Sequence, residues 1–347
     1  MSAHGPAGDS TLRAVEGTRA EFDAYLHDPL HWGASMVHHS EALLGALDAV
    51  GARTVVEVGA YAGDLTRVLV DWAGRSGATV SAIDPSPQDA LVTLSQQHDA
   101  LTLIRKTSLE ALPTIELADV VILDGDHNYW TVFEELRLIG GRAQGAELPL
   151  LLFHDVCWPH GRRDDYFAAE LIPREYRQPL IPEGEGVFPG DRGSRRGGLP
   201  YPRSAAREGG RRNGVLTAVE DFVGTRDWLR LIVVPAFFGF GAVWHTSAPW
   251  ATDVAQVFDP LDRNPLLARL EENRILHIAQ EHSVRTAVWD GNERLTRQQH
   301  VLTRMLQSSA FGVAEQLSRL RVRAGIATGQ SVISKAEIRA VLSDPRR

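Results

Sequence analysis

Short, β-branched apolar runs recur along the chain at Thr54–Val58, Thr79–Ile83, Leu101–Ile104, Asp119–Leu123 and Leu148–Phe153. Most are apolar throughout and do not alternate, which is the pattern of parallel strands covered on both faces. Stretches long enough for helices separate them, at Asp64–Ala73, Pro87–His98 and Tyr129–Leu138. Such alternation predicts a parallel sheet with right-handed crossovers. Two closely spaced runs follow, Leu229–Val234 and Gly239–His245, and an antiparallel pair there can close the sheet. The predicted fold is α/β, a doubly wound, mostly parallel seven-stranded sheet.

The flanks read differently. Thr11–Leu26 and Ser35–Val50 are amphipathic and predict N-terminal helices, with residues 1–34 forming a helical cap. Residues 35–250 form the expected ligand-binding domain. Within it, 157–212 is rich in Pro, Gly and Arg and has little periodicity, so it is expected as an irregular insertion or lid after the fifth strand. Residues 251–347 predict a helical C-terminal extension. There Leu302, Met305, Leu306, Val313, Leu317 and Leu320 roughly follow a helical stripe, and Ser334 with Glu337 resembles a capping box.

Composition narrows the class. A chain of 347 residues, 44% hydrophobic and 23% charged, can bury a core without staples. Cys157 is the sole cysteine, which argues for a reducing compartment. The start lacks a basic and apolar leader, and the longest apolar run, Leu231–Trp244, is too short to span a bilayer and is broken by Pro235, Gly239 and Gly241. A cytoplasmic protein with no membrane partner is expected. The net charge of −8 offers no general attraction for nucleic acid.

The strongest local signal is Thr-Val-Val-Glu-Val-Gly-Ala-Tyr-Ala-Gly, Thr54 to Gly63: an apolar strand, a Gly-bearing turn, then a helix. Gly59 permits the tight turn and Gly63 lets the helix start close to a ligand. Asp84, in Ser-Ala-Ile-Asp-Pro, falls at the end of the second strand, where a carboxylate can take both hydroxyls of a ribose. A dinucleotide site needs G-x-G-x-x-G, but Tyr61 stands where the second glycine belongs. Glu57 is also a poor neighbour for a pyrophosphate, and suits a ligand carrying an ammonium and a sulfonium. These residues resemble motif I of the Rossmann-like, S-adenosylmethionine (SAM)-dependent methyltransferases. The resemblance covers about Ser35 to Val156 well and the two late strands plausibly. It implies a cofactor site of Glu57, Gly59, Ala60, Tyr61, Gly63, Asp84, Ser108 and Asp124, with Ser108 near the adenine.

The fourth strand ends in Leu-Asp-Gly-Asp-His, placing Asp124, Asp126 and His127 at its carboxyl edge, and the fifth ends in Phe-His-Asp-Val, placing His154 and Asp155 beside them. Asp-Gly-x-His and the His-Asp pair are similar to those of bacterial small-molecule methyltransferases of the macrocin and cephalosporin-hydroxylase-like group. That resemblance implies a metal-binding Asp124 and a general base His127. An acidic pair usually completes the metal site, but here it is His154-Asp155. Either Asp124 and Asp155 hold Mg²⁺, or His154 joins them around another divalent ion, or no metal is used. Asp126 is expected to cap a helix or support its neighbours.

The expected function is O-methylation of a small molecule, a natural product or sugar-containing acceptor. Two alternatives stand beside it: a metal-dependent oxygenase or hydroxylase on the same fold, and a non-catalytic SAM-binding assembly protein. His160, Arg162, Arg163, Asp165 and Tyr166 are read individually as solvated loop residues able to line an acceptor pocket. Arg192, Arg195, Arg196, Arg203, Arg207, Arg211 and Arg212 read as a solvated, mobile loop, with phosphate binding as the sharper option. Trp32 reads as core packing, and the C-terminal helices as packing or a homo-oligomer contact.

Overall fold

In a computed structural model of the chain, the described residues are 34–326, apart from 144 and 225, and 333–342. The predicted helix Thr11–Leu26, the cap up to residue 33 and Trp32 lie outside them. The chain divides into two compact units, Gly17–Ser283 and a second that includes Val284–Arg347.

The first unit is built on the predicted sheet. Its strands are β1 (Thr54–Val58), β2 (Thr79–Ile83), β3 (Leu101–Ile104), β4 (Val120–Leu123), β5 (Leu150–His154), β6 (Leu229–Val234) and β7 (Phe240–His245). They run in the spatial order β3-β2-β1-β4-β5-β7-β6. β1 to β5 pair in parallel, while β7 pairs antiparallel with both β5 and β6. The order reverses between β1 and β4, which opens a crevice at the carboxyl ends of the strands.

Helices cover both faces. α1 (Ser40–Val50), α2 (Asp64–Ser76) and α3 (Asp89–Gln97) lie on one side with Val55, Val80, Val120 and Ile122. The opposite face buries Val56, Val58, Val121 and Leu123 against α5 (Tyr129–Arg142) and α6 (Val215–Val223). α4 (Ser108–Ala111) is a single turn between β3 and β4. Period-two alternation along a strand therefore exists, but both faces are apolar, which is why the strands read as continuous hydrophobic runs.

The strand bounds match the sequence pattern with small, explicable shifts. β5 begins at Leu150 and not Leu148, because Pro149 has no N–H to give to a ladder. β4 begins after Asp119, whose carboxylate accepts from the N–H groups of Arg53 (2.8 Å) and Thr54 (2.9 Å). α5 runs past Leu138 to Arg142, where the guanidinium donates to the carbonyls of Leu112 and Ile115. The segment from Ser35 starts as a 3₁₀ turn, Met36–His39, before α1.

After β7 come α7 (Ala251–Phe258) and the long α8 (Pro265–Gln307). Val254 and Phe258 of α7 enter the same core as Leu43 and Leu47 of α1. The boundary between the two compact units, Ser283/Val284, falls inside α8. In the second unit, α9 (Ser309–Arg323) is capped by Ser308, whose hydroxyl accepts from Phe311 N. The leucine stripe is thus divided between two helices, and Val313, Leu317 and Leu320 are exposed. Ser334 and Glu337 form the expected reciprocal cap at the start of α10 (Lys335–Leu342). No helix among the described residues is long and apolar enough to cross a membrane.

Candidate active site

Gly59 leaves β1 with φ +87°, and a Cβ there would stand 2.1 Å from the carbonyl oxygen of Asp124, so only glycine fits between the ends of β1 and β4. Gly63 (φ +85°) caps α2, and a Cβ there would stand 3.3 Å from the Leu91 side chain. Tyr61 between them also takes positive φ, at +41°. Its N–H donates to Asp84 Oδ2 (2.8 Å), while Asp84 Oδ1 accepts from Ser86 N (2.7 Å). Glu57 is buried in β1 and accepts a 2.6 Å hydrogen bond from Thr66 Oγ1 of α2. Burial pushes its carboxyl up to about 8, because Thr66 only partly offsets desolvation and Asp124, Asp84 and Asp64 oppose a further negative charge.

Asp84 and Ser108 face a cavity of about 580 Å³, whose walls also include Asp126, Trp130, Phe167 and Ile172. Glu57 and Ala60 line a second cavity of about 420 Å³ with Asp155, His160, Tyr201 and Phe238. Gly59, Tyr61, Asp124 and His127 line both.

At this junction four side chains converge. His127 Nε2 lies 3.2 Å from Asp155 Oδ2 and 3.6 Å from Asp124 Oδ1. His154 Nδ1 lies 3.3 Å from each of the same two oxygens. The other nitrogen of His154 meets the carbonyl of Phe237 at 3.0 Å. Asp155 takes positive φ (+57°), unusual for a residue with a Cβ and common where a side chain must be aimed. Desolvation would lower both imidazoles, but the two carboxylates outweigh it. They raise His127 to about 9 and hold His154 well above the ordinary histidine range. The same imidazoles pull Asp155 down against its own desolvation.

The loop that receives His154 is itself braced. Phe237, Phe238 and Gly239 all have positive φ. Phe238 N donates to Glu271 Oε1 (2.8 Å), and Glu271 is paired with Arg274 (2.7 Å), both on the first turns of α8.

The insertion proves to be a built wall, which corrects the reading of its first residues as solvated. His160, Arg163, Asp164 and Tyr166 are buried. Asp164 accepts from Tyr129 N (2.7 Å), Gly214 N (2.6 Å) and Tyr166 OH (2.9 Å), while its own N–H donates to Asn213 Oδ1 (2.7 Å). The Arg163 guanidinium donates to the carbonyls of Ala205, Arg192 and Gly193. The segment thereby meets both terminal nitrogens of a buried guanidinium with backbone carbonyls, which composition does not reveal. The seven later arginines are largely solvent-facing, as expected. Arg195 lies over the ring of Phe188 and Arg212 over that of Tyr176. Asp126 does not cap α5, which Asn128 does; its carboxylate accepts from Thr131 Oγ1 and Phe167 N, so it is a support, as expected.

Three contributors were not legible beforehand. Tyr201 meets His160 edge-on, with ring centroids 4.9 Å apart, and His160 stacks on His127 at 5.2 Å. His39 comes within 6.1 Å of His154, and burial followed by the charge of His154 lowers it to about 3. Phe238 closes the smaller cavity. No strand-end motif marks these positions; they arrive from a helix start, an insertion and a hairpin loop.

Residues 56–156, less than a third of the chain, match a family model described as a methyltransferase domain. No curated protein sequence matches the chain. Similar solved structures include a putative caffeoyl-CoA O-methyltransferase from Staphylococcus aureus, 11% identical, covering 68% of this chain and 96% of its own, with a TM-score of 0.39. An SAH-bound methyltransferase from Podospora anserina is 14% identical, covers 71% of this chain and 99% of its own, and has a TM-score of 0.41. The strand order and the flanking helices are those of the Rossmann-like methyltransferase fold.

Proposed function

We propose that this chain is a SAM-dependent methyltransferase acting on a hydroxyl of a small-molecule acceptor, a natural product or sugar-containing compound. The observation that carries this is the meeting of two cavities at Gly59, Tyr61, Asp124 and His127. A nucleoside in the larger one would face Asp84 and Ser108; the smaller one would take the cofactor's amino-acid end beside Glu57 and the acceptor beside Asp155 and His160. SAM supplies an electrophilic methyl on sulfonium. The chain's part is to align the acceptor with it, to exclude water and to manage the hydroxyl proton. Glu57, once ionised, would receive the cofactor's ammonium; Asp84 would take its ribose. Gly59 lets the end of β1 close against the end of β4 with no side chain between them.

A divalent cation fits the same edge. Asp124, His154 and Asp155 offer an unpartnered buried nitrogen and two carboxylate oxygens within reach of one ion. Such an ion would lower the pKa of a coordinated hydroxyl and fix its position. His127 and His160 are the imidazoles on the acceptor side, and the proton would pass to this edge.

The test is calorimetric titration of the purified chain with S-adenosylhomocysteine (SAH) and, separately, NAD⁺. Binding of SAH alone is expected. No binding of SAH, with or without added divalent metal, would sink the assignment and favour the oxygenase alternative.

A further inference from the structure

The sequence resemblance makes His127 a base standing beside a carboxylate metal site. The packing is different. His127 Nε2 and His154 Nδ1 are both buried atoms without a hydrogen-bond partner among the described residues, and both point at the same two carboxylate oxygens. His154 is 2% exposed. Its Nε2 position opposite the Phe237 carbonyl makes that nitrogen the N–H donor, so once Nδ1 gives up its proton as an ion enters, its lone pair is aimed into the cluster. An imidazole whose far N–H is fixed by a backbone carbonyl is the usual arrangement of a metal-bound histidine.

The spacing agrees. Donors held about 2.0–2.2 Å from one ion at tetrahedral angles stand roughly 3.3–3.6 Å apart. The four nitrogen–oxygen separations here are 3.2, 3.3, 3.3 and 3.6 Å. Two carboxylates and two neutral imidazoles carry two negative charges, which one divalent ion balances.

We propose that Asp124, His127, His154 and Asp155 together form a two-nitrogen, two-oxygen site for a first-row transition ion, with His127 as its fourth ligand and not an independent base. Mg²⁺ is a poor fit, since it prefers six oxygens and dehydrates reluctantly. Imidazole ligands favour iron, cobalt, nickel or zinc. His127 also groups with His160 and Asp165, but that second grouping offers one carboxylate where Asp124 and Asp155 offer two. This inference rests on the metal half of the proposed function and does not need the cofactor half.

The experiment uses the full chain, stripped by chelation and titrated with Co²⁺ and with Mg²⁺ by calorimetry and visible absorption. The expected result is one Co²⁺ per chain, bound at least about 100-fold more tightly than Mg²⁺. His127→Ala and His154→Ala should each weaken Co²⁺ by roughly 100-fold or more, whereas His160→Ala should leave it within about threefold. Should a variant fail to fold, the wild-type Co²⁺ protein still decides the matter, because its proton spectrum must show two sets of hyperfine-shifted imidazole signals. Mg²⁺ binding as tight as Co²⁺, a single shifted imidazole, an unaffected His127→Ala, or loss on His160→Ala in place of His154→Ala would each overturn the assignment. SAH titrated into the same samples reports on the cofactor separately, so the two readings can fail independently.

Discussion

Glu57 illustrates how one residue's surroundings set its chemistry. Inside β1 it has a single hydrogen-bond donor, Thr66, and three acidic neighbours, Asp64, Asp84 and Asp124, so it is protonated at neutral pH with a value of about 8. Pairing with an ammonium requires the ionised form. If Glu57 receives that group, SAH affinity rises with pH up to about 8, approaching tenfold per unit where binding releases one proton, and levels off above it. Glu57→Gln is expected to weaken SAH and to flatten that dependence. Calorimetry in buffers of different ionisation enthalpy measures the proton released; an affinity independent of pH between 6 and 8 would remove Glu57 from the ammonium site. Gly59, by contrast, was identifiable from its place in the motif alone, because a turn this tight leaves no room for a side chain.

At the scale of elements, the carboxyl ends of β1, β4 and β5 carry the site, and the segment after β5 walls it in. That segment is held by few regular hydrogen bonds and depends on buried polar hubs. Asp164 is the clearest, receiving three hydrogen bonds from Tyr129, Tyr166 and Gly214. Asp164→Ala would leave two backbone N–H groups and a phenol unsatisfied in a buried place, a loss of roughly 3 kcal/mol or more. A thermal unfolding midpoint within a degree of wild type would show that the hub is dispensable. Tyr129 N and Gly214 N belong to the starts of α5 and α6, so the same variant should also loosen His127 just ahead of α5. Strong SAH binding with weakened Co²⁺ binding is the expected signature. Glu271 does comparable work for the other histidine: it holds Phe238, whose neighbour Phe237 accepts the His154 hydrogen bond.

For the whole molecule, Gly17–Ser283 forms one compact unit, and Val284–Arg347 belongs to another. Every residue of the candidate site lies in the first. A chain ending at Ser283 is therefore expected to fold and to bind SAH within about threefold of the full chain. Loss of folding would show that the later helices are needed for the core. The exposed Val313, Leu317 and Leu320 make α9 the place to look for self-association, and we propose that any homo-oligomer forms there. Sedimentation of both lengths checks this: a dimer that persists in the shortened chain would exclude it.

Much of this protein is local in origin. Apolar runs of four to six residues specify strands because a strand buried on both faces tolerates little else, and their alternation with helices dictates a parallel sheet. The Gly59–Gly63 turn, Asp84 and the Asp124–His127 and His154–Asp155 strand ends follow from that pattern, since side chains at the carboxyl edge of adjacent strands are neighbours whatever the loops do. Tertiary structure alone decided that His127 and His154 face the same pair of carboxylates, that Arg163 and Asp164 are buried, that Tyr201 and Phe238 line the smaller cavity, and that His39 packs beside His154. Those outcomes depend on the rotation of single side chains and on meetings between segments roughly 40 to 120 residues apart. Periodicity carries no signal for either, because burial of a polar residue is set by the partners that arrive to satisfy it and not by its place in the chain.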